Sequence, residues 1–405
     1  MARPARRARR DTAPGVLFFD MSPMPARAPR RVLVIALRYL GDVLLTTPLP
    51  HALRARYPDC QVDMLVFRGT EGMLENNPDV HQVFTIAERP AKGEVRAMVR
   101  RLWRRYDLAL VPQPGDKPHL FGLTSARVRV GLVPPEAGHA WWKRLSLRHP
   151  LVIDEHMHRV HENERVAALL DLAPARTLVP PTAHVLRDAW GARLAALAPE
   201  APPFDARRPY AVIHPSPRWR YKQWHAEGWR GLFASLHARG LQLVLSGGPG
   251  ETESQYLDSL LEGLDENVRQ AIVRVQGRLS LAELADLLRH ATVYAGPDTA
   301  TTHLAAACGT PTLALFGPTD PRQWGPSPAA GLDQPWSKAA PRQIRGNVLM
   351  LQELVRDCVP CQREGCDRHR GSHSDCLDGL ATATVVAAAQ SLVDAAVPAG
   401  QGAGA

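Results

Sequence analysis

From residue 31 onward the hydrophobic positions fall into short, unalternating runs separated by amphipathic stretches. Residues 32–37 (VLVIAL) have strand length and no alternation, the mark of a strand buried on both faces. Further strands are predicted at 62–67, 83–86 and 107–112, with helical patterns near 70–76 and 95–106 between them. After the first strand the pattern predicts a helix ending near 56–58. Thr47 before Pro48 suits an N-cap with proline at the first helical position, so the regular helix is expected from there rather than from Gly41. The stretch 113–160, rich in Trp, His and Pro, reads as long loops.

Residues 174–209 hold many prolines and one helical pattern near 185–198, which suits an inter-domain connection. A second series then begins. Strands are expected at 210–216, 241–248, 292–296 and 312–317, and helices at 228–240, 279–291 and 301–309, with Gly240 and Gly309 closing theirs. An Ala-rich segment, 380–397, reads as a closing helix. Strands alternating with helices imply parallel sheets with right-handed crossovers. The expected fold is therefore α/β, with two Rossmann-like domains whose parallel sheets face a central cleft. The expected divisions are a basic extension at 1–30, a first domain at 31–200, a second at 205–345, and a Cys-containing segment with the closing helix at 346–405.

Composition changes this picture little: 405 residues, 45% hydrophobic and 22% charged, is ordinary for a globular chain. No apolar run approaches the roughly 18 residues a membrane span needs. No secretory signal is visible, so a cytoplasmic protein is the expectation. The net charge of +9 invites a nucleic-acid reading, but its location argues against one. Residues 1–31 hold eight arginines against Asp11 and Asp20, leaving only +3 for the other 374 residues. That leader is read either as a disordered tail, or sequence upstream of a later start at Met21 or Met24, or as a segment docking peripherally on anionic lipid.

Four clusters lie just past the ends of predicted strands, where doubly wound sheets bind ligands. In Arg38-Tyr-Leu-Gly41-Asp42, the carboxylate either takes a proton from an attacking hydroxyl or caps the following helix. Ser216-Pro-Arg218-Trp-Arg220-Tyr-Lys222-Gln-Trp224 places three cations within five residues. They suit a diphosphate, or form a solvated basic turn over core tryptophans. Ser246-Gly-Gly-Pro-Gly-Glu251 is a weaker pattern and fits an ordinary tight turn. Gly296-Pro-Asp298-Thr299-Ala300-Thr-Thr-His303 joins a strand to a helix, either as a phosphate site or as a capping turn. No Asp-x-Asp occurs in the sequence, so Lys222, Arg218 and the helix terminus would have to neutralise a leaving diphosphate. Phe316-Gly-Pro-Thr-Asp320 is a further strand-end turn.

Together these clusters resemble the family-9 glycosyltransferases, the ADP-heptose:lipopolysaccharide heptosyltransferases, over roughly residues 31–380. RVLVIALRYLGDVLLTTPLPHALRARYP is similar to the family's opening strand, Gly-Asp turn and helix. Lys222-x-Trp224 matches its phosphate-binding loop, and YAGPDTATTHLAAACGTPTLALFGPTDP its most specific stretch. The resemblance implies an inverting, metal-independent heptosyl transfer that uses no cofactor. Asp42 would be the base and Lys222 the phosphate contact, with Asp298, Thr299 and His303 lining the donor site. Arg218 and Ser216 join them, and Glu251 falls near the family's nucleoside-holding carboxylate. Family members often carry Gly where this chain has Ala300, which argues against carrying over a backbone contact there. Arg38, Lys143 and Arg144 are the expected acceptor contacts. The implied partners are an ADP-heptose donor and a lipid A–core acceptor on the inner membrane face, with the protein a monomer. The RWRYKQW loop resembles the branch that adds the third, side-branch heptose. Two other readings compete: a nucleotide-sugar epimerase of the same fold, and a non-catalytic ADP-sugar-binding protein.

Cys358, Cys361, Cys366 and Cys376 crowd one stretch with His369 and His373. Reduced structural or acceptor-loop thiols, a zinc site and a disulfide are the three readings; the spacing lacks a paired CxxC, and no metal is assigned.

Overall fold

The computed structural model describes residues 28–136, 138 and 140–396. The basic extension falls almost wholly outside them, and the expectations for it lie there too.

Strands β1 (Arg31–Ala36), β2 (Gln61–Phe67), β3 (Gln82–Ile86), β4 (Tyr106–Val111), β5 (Ala126–Val133) and β6 (His149–Val152) form one parallel sheet, ordered β3-β2-β1-β4-β5-β6. Val34 is the register point at its centre, pairing with Met64 on one side and Leu110 on the other. Helices α1 (Leu40–Thr46), α2 (Pro48–Arg56), α3 (Lys92–Leu102), α4 (Asp116–Ser125), α5 (Trp141–Ser146), α6 (Arg159–Ala168) and α7 (Trp190–Leu197) complete this half and the connection.

The second sheet contains β7 (Tyr210–Ile213), β8 (Gln242–Leu245), β9 (Ile272–Arg274), β10 (Val293–Pro297), β11 (Thr312–Phe316), β12 (Arg342–Arg345) and β13 (Val348–Gln352), ordered β12-β13-β11-β10-β7-β8-β9. Only the β12–β13 pair is antiparallel, and β13 joins β11 in parallel from beyond residue 345. Its helices are α8 (Ala226–Ala238), α9 (Glu251–Glu262), α10 (Glu266–Gln270), α11 (Leu281–Leu288), α12 (Ala300–Ala307), α13 (Pro321–Trp324), α14 (Asp375–Asp378) and α15 (Thr382–Ala396). In each sheet the strand order reverses beside the first strand of its half, and that switch point opens a crevice at the strands' carboxyl ends.

Three local expectations are corrected. A helix already begins at Leu40, and α2 starts at Pro48 as expected, but Thr47 before it is itself helical (φ −58°, ψ −24°). Its hydroxyl donates to the Leu44 carbonyl at 2.7 Å and accepts from the Val179 N–H at 2.9 Å, so it caps nothing. Residues 113–160 are not long loops but contain α4, β5, α5 and β6. The helix α4 buries Pro118, His119, Phe121, Gly122 and Ser125, a set with no apolar periodicity to betray it. The helix expected to reach residue 106 ends at Leu102, because Tyr106 opens β4.

The core follows the layers. Leu33, Ile35, Phe84, Met98 and Phe121 pack between the first sheet and the α3–α4 side. Val32, Val34 and Met64, on the opposite face, belong to one apolar cluster with Leu284, Leu288 and Leu304 of the second half. The two halves are thus welded behind the crevice, with α1 packed against α12. Helix α15 lies on α8 within the second half.

Candidate active site

The two sequence clusters with the strongest chemistry meet where α1 faces α12. A side chain at Gly41 would stand 3.5 Å from the His303 ring and 3.8 Å from the Ala300 backbone. This close approach puts the Gly41-Asp42 turn of one half against the start of α12 in the other.

On the second half's side, β10 ends in Gly296-Pro297-Asp298. A Cβ at Gly296 would collide with the Tyr294 hydroxyl, so only glycine fits there. Thr299, not Asp298, caps α12, accepting from the Thr302 N–H at 3.3 Å. Asp298 is thereby freed for another partner. It takes Lys222 Nζ at 2.5 Å and the Thr319 hydroxyl at 2.6 Å. Burial would raise the Asp298 pKa, but Lys222 and Thr319 outweigh it and hold the carboxyl below its ordinary range. Burial would likewise lower Lys222, and the carboxylate overrides it, keeping the ammonium charged. His303 is buried nearby, its pKa pushed down to about 4 by desolvation, so it is neutral at pH 7. Its Nδ1 is buried with no partner among the described residues. An unpaired buried ring nitrogen and a charged, Asp298-paired lysine beside a helix start are the groups that a polar ligand here would meet.

Ser216 is buried at the end of β7's following turn, while Arg218 is exposed and stacks on Tyr39 (4.4 Å) and Trp219 (4.9 Å). Arg218 therefore bridges the two halves at the crevice mouth. Glu251 opens α9, exposed, in a depression of about 780 Å³ with Gly250, Arg274 and Gly277. None of the other predicted residues lines that depression.

On the first half's side, Asp42 lies in the first turn of α1 and lines a cavity of about 230 Å³ with Arg38, Gln113, Asn163, Arg159 and Trp324. Burial raises the Asp42 pKa, and Arg38 and Arg159 pull against it. The Arg38 contact is long, 3.5 Å from Nε to Oδ1, and the Asp42 side chain stays 14% exposed. Asp42 is thus a carboxylate made more basic by desolvation yet reachable from the cavity.

Lys143 and Arg144 do not line this cavity. Lys143 is buried, donating to the Pro114 carbonyl at 2.8 Å and pairing with Asp116 at 2.6 Å. Arg144 donates to the carbonyls of Pro134 (3.0 Å) and Pro135 (3.2 Å). Both hold in place the loops that form the cavity wall.

Sequence reasoning missed Arg159, Gln113 and Trp324. The Arg159 guanidinium stacks on the Trp324 ring at 4.9 Å, and its Nε has no partner among the described residues. These three sit in stretches without periodicity or motif, and nothing short of the fold brings them together. Thr319 was reachable, since it stands in the strand-end turn after β11.

All six cysteines are free thiols. The donor atoms of His373, Asp375 and Asp378 lie within 4.8 Å of one another, and no cysteine belongs to that group.

A crevice between two α/β halves, with a base-like carboxylate on one wall and a lysine–aspartate pair beside a helix start on the other, has the form of a GT-B glycosyltransferase. Solved structures share that fold. A family-9 glycosyltransferase of Veillonella parvula superposes with TM-score 0.73 at 16% identity, covering 92% of this chain and 99% of the other. The ADP-heptose lipopolysaccharide heptosyltransferase II of Escherichia coli gives 0.67 at 19% identity, covering 90% and 98%.

Residues 95–345 match the model of glycosyltransferase family 9 (heptosyltransferase), and the chain belongs to that family. Lipopolysaccharide heptosyltransferase 3 of Escherichia coli is 29% identical over 298 residues, 72% of this chain and 83% of the relative. Lipopolysaccharide heptosyltransferase 1 of Pseudomonas aeruginosa is 31% identical over 308 residues, covering 72% and 79%.

Proposed function

We propose that the protein transfers heptose from ADP-heptose to the inner core of lipopolysaccharide, on a lipid A–core acceptor. The observation that carries this reading is the packing of the Gly41-Asp42 turn against the start of α12, in a chain of the heptosyltransferase family.

In this mechanism the acceptor hydroxyl enters the cavity beside Asp42. Its proton passes to an Asp42 oxygen as the hydroxyl oxygen attacks the anomeric carbon from the face opposite the diphosphate, inverting that centre. Lys222 and the N–H groups at the start of α12 take the charge that develops on the leaving ADP. Asp298 holds Lys222 charged and aimed, His303 offers a neutral ring nitrogen to the donor, and Thr299 shapes the turn that carries both. Arg218 closes the mouth, Ser216 backs its loop, and Glu251 would hold the nucleoside from its separate depression. Arg38 and Arg159 tune the base and meet the acceptor. The RWRYKQW loop and the similarity to lipopolysaccharide heptosyltransferase 3 support the branch that adds the third, side-branch heptose.

The decisive experiment follows ADP release from ADP-heptose with and without a heptose-truncated lipid A–core acceptor, beside Asp42→Ala. Acceptor-dependent release that collapses in the variant, with donor binding intact, is the expected result. Tight donor binding without release on any core acceptor would sink the transferase reading and leave a binding protein.

A further inference from the structure

The layer α3–α4–α5 on the first half exposes a surface that the chemistry in the crevice does not use. Trp141 and Leu145 on α5 are 62% and 75% exposed, one helical turn apart, and Trp103 at the end of α3 is 56% exposed. Leu120 and Leu123 on α4 lie exposed between them, since α4 packs against both α3 and α5. The half-buried Trp142 ring meets the His119 ring edge-on at 6.0 Å and ties α5 to α4. Monomeric proteins rarely leave several large apolar side chains together in water without a partner.

The charge around this patch is as lopsided as its apolarity. Residues 92–148 hold twelve Lys and Arg against four Asp and Glu. Beyond residue 31, the rest of the chain holds 29 basic residues against 34 acidic ones. Among the described residues, Arg100, Arg101, Arg104, Arg105 and Arg148 pair with no carboxylate. Exposed arginines without carboxylate partners, on the same layer as exposed Trp and Leu and with Arg104 stacked over Trp103 at 5.9 Å, suit neither water alone nor a nucleic acid, which would leave the tryptophans and leucines unburied. They suit the interface of a bilayer, where Trp rings sit at headgroup depth and cations meet anionic lipid.

The patch also adjoins the acceptor cavity. Trp141 opens α5, and the two residues after Trp142 are Lys143 and Arg144, whose side chains hold Pro114, Pro134 and Pro135 of the cavity wall. We propose that the α3–α4–α5 face docks on an anionic membrane surface and presents the Asp42 cavity to a glycolipid held there. The docking stands on the surface itself, while its service to the acceptor rests on the function proposed above.

The test is sedimentation of the full-length protein with vesicles of phosphatidylethanolamine and phosphatidylglycerol, against vesicles of phosphatidylcholine. The variants are Trp141→Ser with Leu145→Ser, and Arg100→Glu with Arg104→Glu. Leu186→Ser, at an exposed leucine elsewhere, serves as control. The parent protein and the control should prefer the anionic vesicles, and each double variant should lose about tenfold or more in partition coefficient at unchanged melting temperature. Parent-like partition of both doubles would overturn the proposal and move any membrane contact to another surface, such as residues 1–31. Binding that salt abolishes while the Trp141/Leu145 pair proves irrelevant would mark a merely electrostatic surface and overturn it too. Transfer is read in parallel on a lipid-free core oligosaccharide and on the glycolipid in vesicles. The doubles should keep the first and lose the second. A parent protein inactive on both acceptors would defeat the proposed function while leaving the vesicle result readable.

Discussion

The two walls of the crevice handle charge in opposite ways. On the α12 wall, Lys222 and Asp298 form a tight buried pair, supported by Thr319, and both stay ionised because each neutralises the other. On the α1 wall, Asp42 has only a long contact to Arg38 and keeps a raised pKa. A group that must hold one ligand benefits from being locked in a single geometry. A group that must accept a proton benefits from remaining under-compensated. On the proposed function, the contrast would separate binding from chemistry along the two halves of the chain.

The sharpest way to break that division is Asp42→Ala. Acceptor-dependent turnover should fall by about 10²–10⁴-fold, as for loss of a general base, with ADP-heptose affinity changed little. Calorimetric donor binding beside ADP release reads both quantities. An equal loss in donor affinity would put Asp42 on the binding side.

Lys222→Met attacks the other wall. It strands a buried carboxylate and should cost about 3–5 kcal/mol of stability, besides weakening donor binding. The double variant Lys222→Met/Asp298→Asn should recover much of the stability and none of the donor affinity. Denaturant melts and donor titrations check each half of that statement.

A smaller effect comes from the arginines. Since Arg38 and Arg159 both lower the Asp42 pKa, Arg159→Ala should move the acid limb of kcat/KM to higher pH. A limb that stays in place would show that Asp42 is not the group being titrated.

The mildest prediction concerns acid stability. His158, His214 and His303 are buried and neutral, with pKa values pushed down to about 3, about 4 and about 4. The unfolded chain binds protons on these rings from about pH 6.5 downward, whereas the folded chain does not. Stability should be full above that pH and decline as pH falls toward 4. Urea midpoints across this range measure it, and an unchanged midpoint would mean that these rings are protonated in the native state.

Much of this arrangement was legible in the sequence. Unalternating apolar runs place most of the strands, and Asp42, Lys222, Asp298, Thr299 and His303 all lie in the loop or first helical turn that follows a strand, where a parallel sheet directs its ligands. Less visible was the region 113–160, because α4 buries histidine, proline and glycine rather than an apolar stripe. The segment 251–274 was also unread, since α9 buries only Leu257 and Leu260 and β9 has three residues.

Residue type and local spacing determined the elements, the two-sheet class and which side chains can do acid–base or phosphate chemistry, because these depend on neighbours a few positions apart. Only the tertiary structure decided how those side chains are spent. It gave Asp298 to Lys222 instead of to a helix cap, and turned Lys143 and Arg144 inward to hold loops. It also brought Arg159 and Trp324, far apart in sequence, to the wall beside Asp42. Burial and pairing set what a polar group can do, and both are properties of the packed chain that no local pattern encodes.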